Sequence, residues 1–147
     1  MALFREITKD DREFFLESVK DFYTSPAVIH PVPEENFHNT INDLMSESPY
    51  EKCFIFEHGG EKAGYGLVSL TWSNEAGGLV VLIEEIYVKE AFRGQGIGSA
   101  FLEFLEGAFK EAKRFRLEVE RDNLDAVRLY ERCGFSELSY MQMIKEK

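Results

Sequence analysis

The chain has 147 residues, of which 44% are hydrophobic and 30% charged, and its formal net charge is −10. A chain of this length suits one domain, 1–147, that buries a core of its own without a disulfide or metal staple. The acidic balance argues against nucleic acid and anionic lipid as partners, because both are polyanions, and no run of about 18 apolar residues offers a membrane span.

The N-terminal stretch Met1–Asp11 lacks the basic and apolar regions of a secretory signal. Cys53 and Cys133 stand far apart, in no metal-binding spacing, so free thiols in a reducing cytoplasm and no metal are expected. The charge is unevenly spread. Between residues 13 and 88 thirteen acidic side chains face three basic ones, which accounts for the whole excess. A field of that sign attracts cations.

Residues 2–8 alternate weakly and predict an edge strand. Thr8 followed by Asp11, ahead of Phe14, Phe15 and Val19, predicts a helix start. That helix ends near Tyr23, because Ser25-Pro26 disfavours continuation. Three prolines make Thr24–Pro33 a loop, which with Trp72 could line a cleft. Pro33-Glu34-Glu35 opens a second helix, with Phe37, Ile41, Leu44 and Met45 as its apolar stripe.

Cys53–Glu57 alternates as a strand, Gly59-Gly60 turns the chain, and Ala63–Trp72 returns as its hairpin partner. Leu79–Val88 is nearly all apolar, as for a strand covered on both faces. Gly96–Ala112 carries helical spacing, and Phe115, Leu117 and Val119 alternate as a fifth strand. Asp122 or Asn123 caps a further helix that Gly134 ends. Ser136–Lys145 predicts a last strand. The order is β-α-α-β-β-β-α-β-α-β, a mixed α/β sheet with helices on both faces.

The densest signal is Arg93-Gly94-Gln95-Gly96-Ile97-Gly98-Ser99, between a buried strand and a long amphipathic helix. Alternate glycines let a ligand approach the backbone. Consecutive N–H groups and the helix N-terminus favour an anion there, and Arg93 adds a fixed positive charge able to grip phosphate oxygens. A P-loop would need Gly-Lys-Ser/Thr at its end. A dinucleotide fingerprint would need glycine at Ser99 and an early parallel strand–loop–helix. Neither is present.

The string Ile83–Ser99 resembles the acetyl-CoA signature of the GNAT superfamily of N-acetyltransferases, whose pattern Arg/Gln-x-x-Gly-x-Gly/Ala is matched by Arg93, Gly96 and Gly98. A second block matches at Asn123, Ala126, Leu129, Tyr130, Gly134 and Phe135. The resemblance implies the GNAT fold with splayed fourth and fifth strands. It implies acetyl-CoA as cosubstrate, its pantetheine arm against the backbone of Ile86, Tyr87 and Val88 and its pyrophosphate on Arg93, Gly94, Gln95, Gly96, Ile97, Gly98 and Ser99. Asn123 would touch the arm, and Tyr130 would lie near the sulfur and act as general acid.

Glu84 and Glu85 interrupt an apolar strand. Adjacent strand residues face opposite sides, so one of the two is expected in the cleft. The family's habit of placing a base four residues before Val88 favours Glu84 as general base over Glu85. The fragment Ile83–Val88 is similar to the matching strand of diamine and polyamine acetyltransferases, which implies a small cationic amine as acceptor. The resemblance also implies a possible homodimer, with Met141, Met143 and Ile144 facing a second subunit. The alternative is a non-catalytic CoA-binding or sensor domain on the same scaffold. His30, His38 and His58 are scattered and expected at the surface or in loops.

Overall fold

The computed structural model describes residues 1–147. Strand β1 (Ala2–Glu6) leads through a 3-10 turn into α1 (Arg12–Tyr23), followed by α2 (Glu34–Met45). Three strands come next, β2 (Glu51–His58), β3 (Glu61–Ser73) and β4 (Gly78–Val88). Helix α3 (Ile97–Ala108), β5 (Arg114–Leu117) and α4 (Leu124–Arg132) complete the chain's regular structure. The strands form one mixed sheet in the order β1-β2-β3-β4-β5, antiparallel except for the parallel β4–β5 pair. A parallel neighbour needs a crossover, and α3 supplies it.

The alternation in β2 builds two cores. Phe54 and Phe56 face α3, where they meet Phe101, Leu105, Val81 and Ile83. Cys53 and Ile55 face α1 and α2, where they meet Phe15, Val19, Phe37 and Ile41. The Phe56 and Phe101 rings lie 4.7 Å apart, and both are fully buried. Burial of each such side chain stabilises the fold by roughly 1.5–3 kcal/mol.

The start of α1 is held electrostatically. Asp11, 1% exposed, accepts hydrogen bonds from the Arg5 guanidinium and the Thr8 backbone N–H. The Lys62 ammonium lies 2.7 Å from Oδ1, which it shares with Arg5. A buried charge is tolerable only when paired and hydrogen-bonded in this way.

The β4–β5 ladder is short. It pairs Val80–Ile83 with Arg114–Leu117, whereas β4 runs on through Glu84–Val88 with nothing bonded along that side. The two strands therefore part after Ile83, leaving a gap toward the C-terminal end of β4. Ligands of α/β sheets characteristically bind at the carboxyl ends of strands.

The expected strand over Ser136–Lys145 is not formed. The segment's one backbone hydrogen bond is local, Tyr140 N–H to the Leu138 carbonyl. Side chains alone tie it down, through Arg121–Glu137 and through the Tyr140 hydroxyl donating to Glu75. Alternation sorts side chains onto faces, but a strand exists only where a partner offers a ladder. This segment makes no ladder with the free outer edge of β5, and Met141, Met143 and Ile144 are left exposed. Helix α3 also stops at Ala108, short of Ala112, and Val119 lies beyond β5. No helix is long and apolar enough to cross a membrane.

Candidate active site

One irregularity organises the site. In the β3–β4 ladder Leu67 pairs with Glu85 and Val68 with Ile83, so Glu84 is an extra residue bulged out of β4. A bulge resets the alternation of its strand. Ile83 packs on the α3 side and Tyr87 on the α1–α2 side. Glu85 faces Tyr23 and Tyr65 on that same α1–α2 side. Glu84 accepts a hydrogen bond from Ser69 at 2.7 Å. Ser69 shares a face with Leu67, two residues away on β3, and so also belongs to the α1–α2 side. The expectation that Glu84 and Glu85 point to opposite faces is therefore overturned, because strict alternation fails across a bulge.

The two carboxylates have different surroundings. Glu84 is exposed. Glu85 is 8% exposed and accepts one hydrogen bond per oxygen, from Tyr23 Oη and Tyr65 Oη, each at 2.6 Å. Burial pushes its carboxyl above the ordinary range and neighbouring Glu84 adds to that, while the two phenols oppose it. A third carboxyl, Glu51 of β2, pairs in register with Ser69. Burial, and then Asp43 beside it, push Glu51 up to about 8, with Glu84 and Glu85 contributing. Sequence reasoning did not single out Tyr23, Tyr65, Glu51 or Asp43. Tyr23 does continue the stripe of Phe15 and Val19 at helical spacing, the one signal that could have found it.

A cavity of about 280 Å³ opens beside Glu85, between α1, α2 and the sheet. Val32, from the proline-rich loop, lines it. Trp72 does not and is 75% exposed at the far end of β3. The histidines lie elsewhere. His38 faces Glu34, His58 packs on the Phe92 ring, and His30 is exposed.

Backbone groups of β4 complete the gap. Lys89 N–H bonds to the Ala63 carbonyl at 2.7 Å. Antiparallel alternation then turns the N–H and carbonyl of Ile86 and Val88 away from β3, toward the side where β5 has ended, and those of Tyr87 toward β3. Arg93 Nε donates to the Val88 carbonyl at 2.8 Å, which leaves the Val88 N–H facing the gap. The Tyr87 side chain instead reaches Asp21 of α1.

Beyond the gap lies the glycine loop. The Arg93 N–H bonds to the Glu90 carbonyl, but from Gly94 to Ser99 no backbone N–H has an acceptor within the chain. Gly94 and Gly96 hold φ at 75° and 78°, a region costly for residues with a Cβ. The three N–H groups opening α3 belong to a helix N-terminus, where none can bond within the helix. The result is a run of donors at the positive end of a dipole, on an exposed loop. It is suited to a phosphate-bearing ligand.

Helix α4 brings the remaining expected residues. Asn123 precedes it without a side-chain capping bond, so its amide is free. Gly134 N–H bonds to the Glu131 carbonyl and Phe135 N–H to that of Tyr130, a Schellman ending that ties the last turn. The Tyr130 ring packs edge-on to Phe135 at 6.0 Å and onto the α3-side core. Its hydroxyl makes no hydrogen bond within the chain, and burial raises its pKa. Leu129 comes within reach of Gly98, 3.7 Å from where a Cβ would stand, so α4 lies directly beside the loop.

The sequence matches the acetyltransferase (GNAT) family model over residues 11–135. It is 36% identical over 107 residues to the thialysine N-epsilon-acetyltransferase of Sus scrofa, covering 66% of this chain and 62% of that protein. It is 30% identical over 148 residues to an uncharacterized N-acetyltransferase of Methanocaldococcus jannaschii, covering 96% of this chain and 65% of that one. The chain thus spans less than two thirds of the length of either relative. The fold is similar to that of an aminoglycoside N-acetyltransferase crystallised with CoA, with a TM-score of 0.79 at 16% identity over 100% of this chain and 95% of that one.

Proposed function

From the premise that this chain belongs to the GNAT acetyltransferase family, we propose that it is an N-acetyltransferase transferring an acetyl group from acetyl-CoA to a primary amine. The observation that carries this reading is the run of free N–H donors from Gly94 to Ser99 at the end of the β4–β5 gap. Arg93 and these amides hold the cofactor's pyrophosphate. Ile86 and Val88 offer backbone hydrogen bonds to its arm, and the Asn123 amide offers another. Acetyl-CoA supplies the acyl group as a thioester.

The chain's own groups manage the protons. A primary amine is mostly protonated at neutral pH, with a pKa near 10, and must lose a proton before it attacks. Glu84 and Glu85 now share one face, so either can take that proton directly or through water. Glu85 is the better-supported base, because its burial and raised pKa match what a general base needs. Glu84 keeps the second carboxylate at the opening. The Val88 N–H is aimed where a polarised carbonyl oxygen would gain most. Tyr130, whose hydroxyl is uncommitted, returns a proton to the departing sulfur.

The acceptor is a small cationic amine, a class that includes polyamines. Glu84, Glu85, Glu51 and Asp43 gather on one side of the sheet, in a chain of net charge −10. A relative named for thialysine acetylation fits the same class. The reading extends to a cytoplasmic protein with free thiols, and to a homodimer that would cover Met141, Met143 and Ile144. Sedimentation tests the dimer.

CoA-thiol release from acetyl-CoA, followed across a panel of amines, tests the activity. Turnover that falls sharply in Glu85→Gln and less in Glu84→Gln supports the assignment. Binding of acetyl-CoA without turnover on any amine would leave only a CoA-binding scaffold.

A further inference from the structure

The cavity beside Glu85 has walls of a definite kind. Phe15 and Val19 from α1, Val32 from the loop before α2, Phe37 from α2 and Leu67 from β3 make it mostly apolar, Asn36 and Thr40 of α2 add two neutral polar side chains, and Tyr23 stands next to Glu85 at one wall. The Tyr23 and Phe37 rings lie 5.1 Å apart, and Phe15 lies 5.3 Å from Tyr65. Glu85 is the only charged side chain lining the cavity. Asp43, Glu51 and Glu84 share its side of the sheet but do not line it. The volume of about 280 Å³ is below the roughly 300–1,000 Å³ of sites for drug-sized ligands.

We propose that this cavity selects the acceptor, taking a primary amine joined to an apolar body of about four to eight carbons, with the amine against Glu85 and the body between α1 and α2. The proposal rests on the acetyl-transfer reading and narrows it. Glu85 is one carboxylate and answers one ammonium. A second ammonium carried past Glu85 would find no second carboxylate, only the neutral Asn36 and Thr40, and burying a charge without an opposite one is heavily penalised. A methylene chain or an aryl ring meets mainly groups like itself, and aromatic walls also favour the alkyl groups next to an ammonium. A polyamine must therefore leave its further charges outside, among Glu84, Glu51 and Asp43, and forgo the burial this cavity offers.

Steady-state kinetics of CoA release decides it. The series runs from n-propylamine through n-butylamine to n-hexylamine, with phenethylamine, 1,4-diaminobutane and spermidine alongside. The expected result is a rise in kcat/KM of roughly three- to fourfold per methylene, the equivalent of burying one CH₂. Phenethylamine joins the favoured group, and both polyamines lie at or below n-propylamine. Thr40 lines the cavity from α2 and is only partly buried, so Thr40→Phe fills the cavity without opening the core. That variant should flatten the chain-length series by lowering kcat/KM for n-hexylamine toward that for n-propylamine, while the Kd for CoA stays at the native value. A flat series in the native protein, or spermidine preferred over n-hexylamine, overturns the proposal and leaves acetyl transfer intact. If acetyl-CoA binds but none of the amines brings about CoA release, the acetyl-transfer reading falls and this proposal falls with it.

Discussion

Tyr65 on β3 donates its phenol hydrogen to Oε1 of Glu85 on β4 at 2.6 Å, and the carboxylate so held is buried against α1 and α2. The contact opposes the effect of burial, because a hydrogen bond to the charged form favours it. Tyr23 does the same to the other oxygen. Removing either phenol should push the Glu85 carboxyl further up. A base works only when deprotonated, so the acid limb of the kcat/KM profile should move to higher pH in Tyr65→Phe and in Tyr23→Phe. The pH–rate profiles measure this, and an unmoved acid limb in both variants would take Glu85 out of the base's role.

Tyr130 gives a cleaner separation of chemistry from folding. Its hydroxyl has no hydrogen bond within the chain to lose. Tyr130→Phe should therefore keep the native Tm and the affinity for CoA, while kcat falls by roughly 10²–10⁴. Calorimetry with CoA and single-turnover kinetics check the two halves.

The glycine loop predicts a loss of affinity rather than of turnover rate. Gly96 holds φ at 78° directly before α3, and placing a Cβ there costs about 1–2 kcal/mol. Gly96→Ala should pull the loop's amides out of line and weaken CoA binding by at least tenfold. Arg93→Ala removes a cation whose hydrogen bonds to a phosphate are worth about 1.5–3 kcal/mol, so Kd should rise by roughly 10–150-fold. Isothermal titration with CoA reads both.

Stability at low pH depends on a group far from the chemistry. The Arg5 guanidinium and Lys62 hold the Asp11 carboxyl well below the ordinary carboxylate range, against the opposing effect of burial. A lowered native pKa means stability that is fully present above the unfolded value of roughly 4 and eroded as acid is added below it. Asp11→Asn should cost about 3–5 kcal/mol at neutral pH. The difference from the native protein should shrink steadily as the pH drops below that value. Urea denaturation at several pH values measures the convergence.

Much of the fold could be read along the chain because the signals are local. Thr8 with Asp11, Pro33 with Glu34 and Glu35, and Gly134 each mark a helix end through hydrogen bonds or backbone angles that involve near neighbours. The loop from Arg93 to Ser99 was legible for the same reason: positive φ at Gly94 and Gly96 and the unpaired N–H groups at the start of α3 are local features. The last strand was misread because a strand exists only through a ladder to another segment, and Ser136–Lys145 forms none although the outer edge of β5 is free.

The acceptor side was decided only in three dimensions. Glu84 and Glu85 look like opposite-facing neighbours until the register with Leu67 and Val68 shows one of them bulged. The phenols that hold Glu85 come from 62 and 20 residues away, and no periodicity reports a contact at such distance. Sequence by itself determined the elements as far as the last helix, their order and the glycine loop that opens α3, since each rests on interactions within a few residues. Tertiary structure alone decided which carboxylate is buried, what grips it and the shape of the cavity beside it, since these follow from strand register and from how two helices cover one face of the sheet.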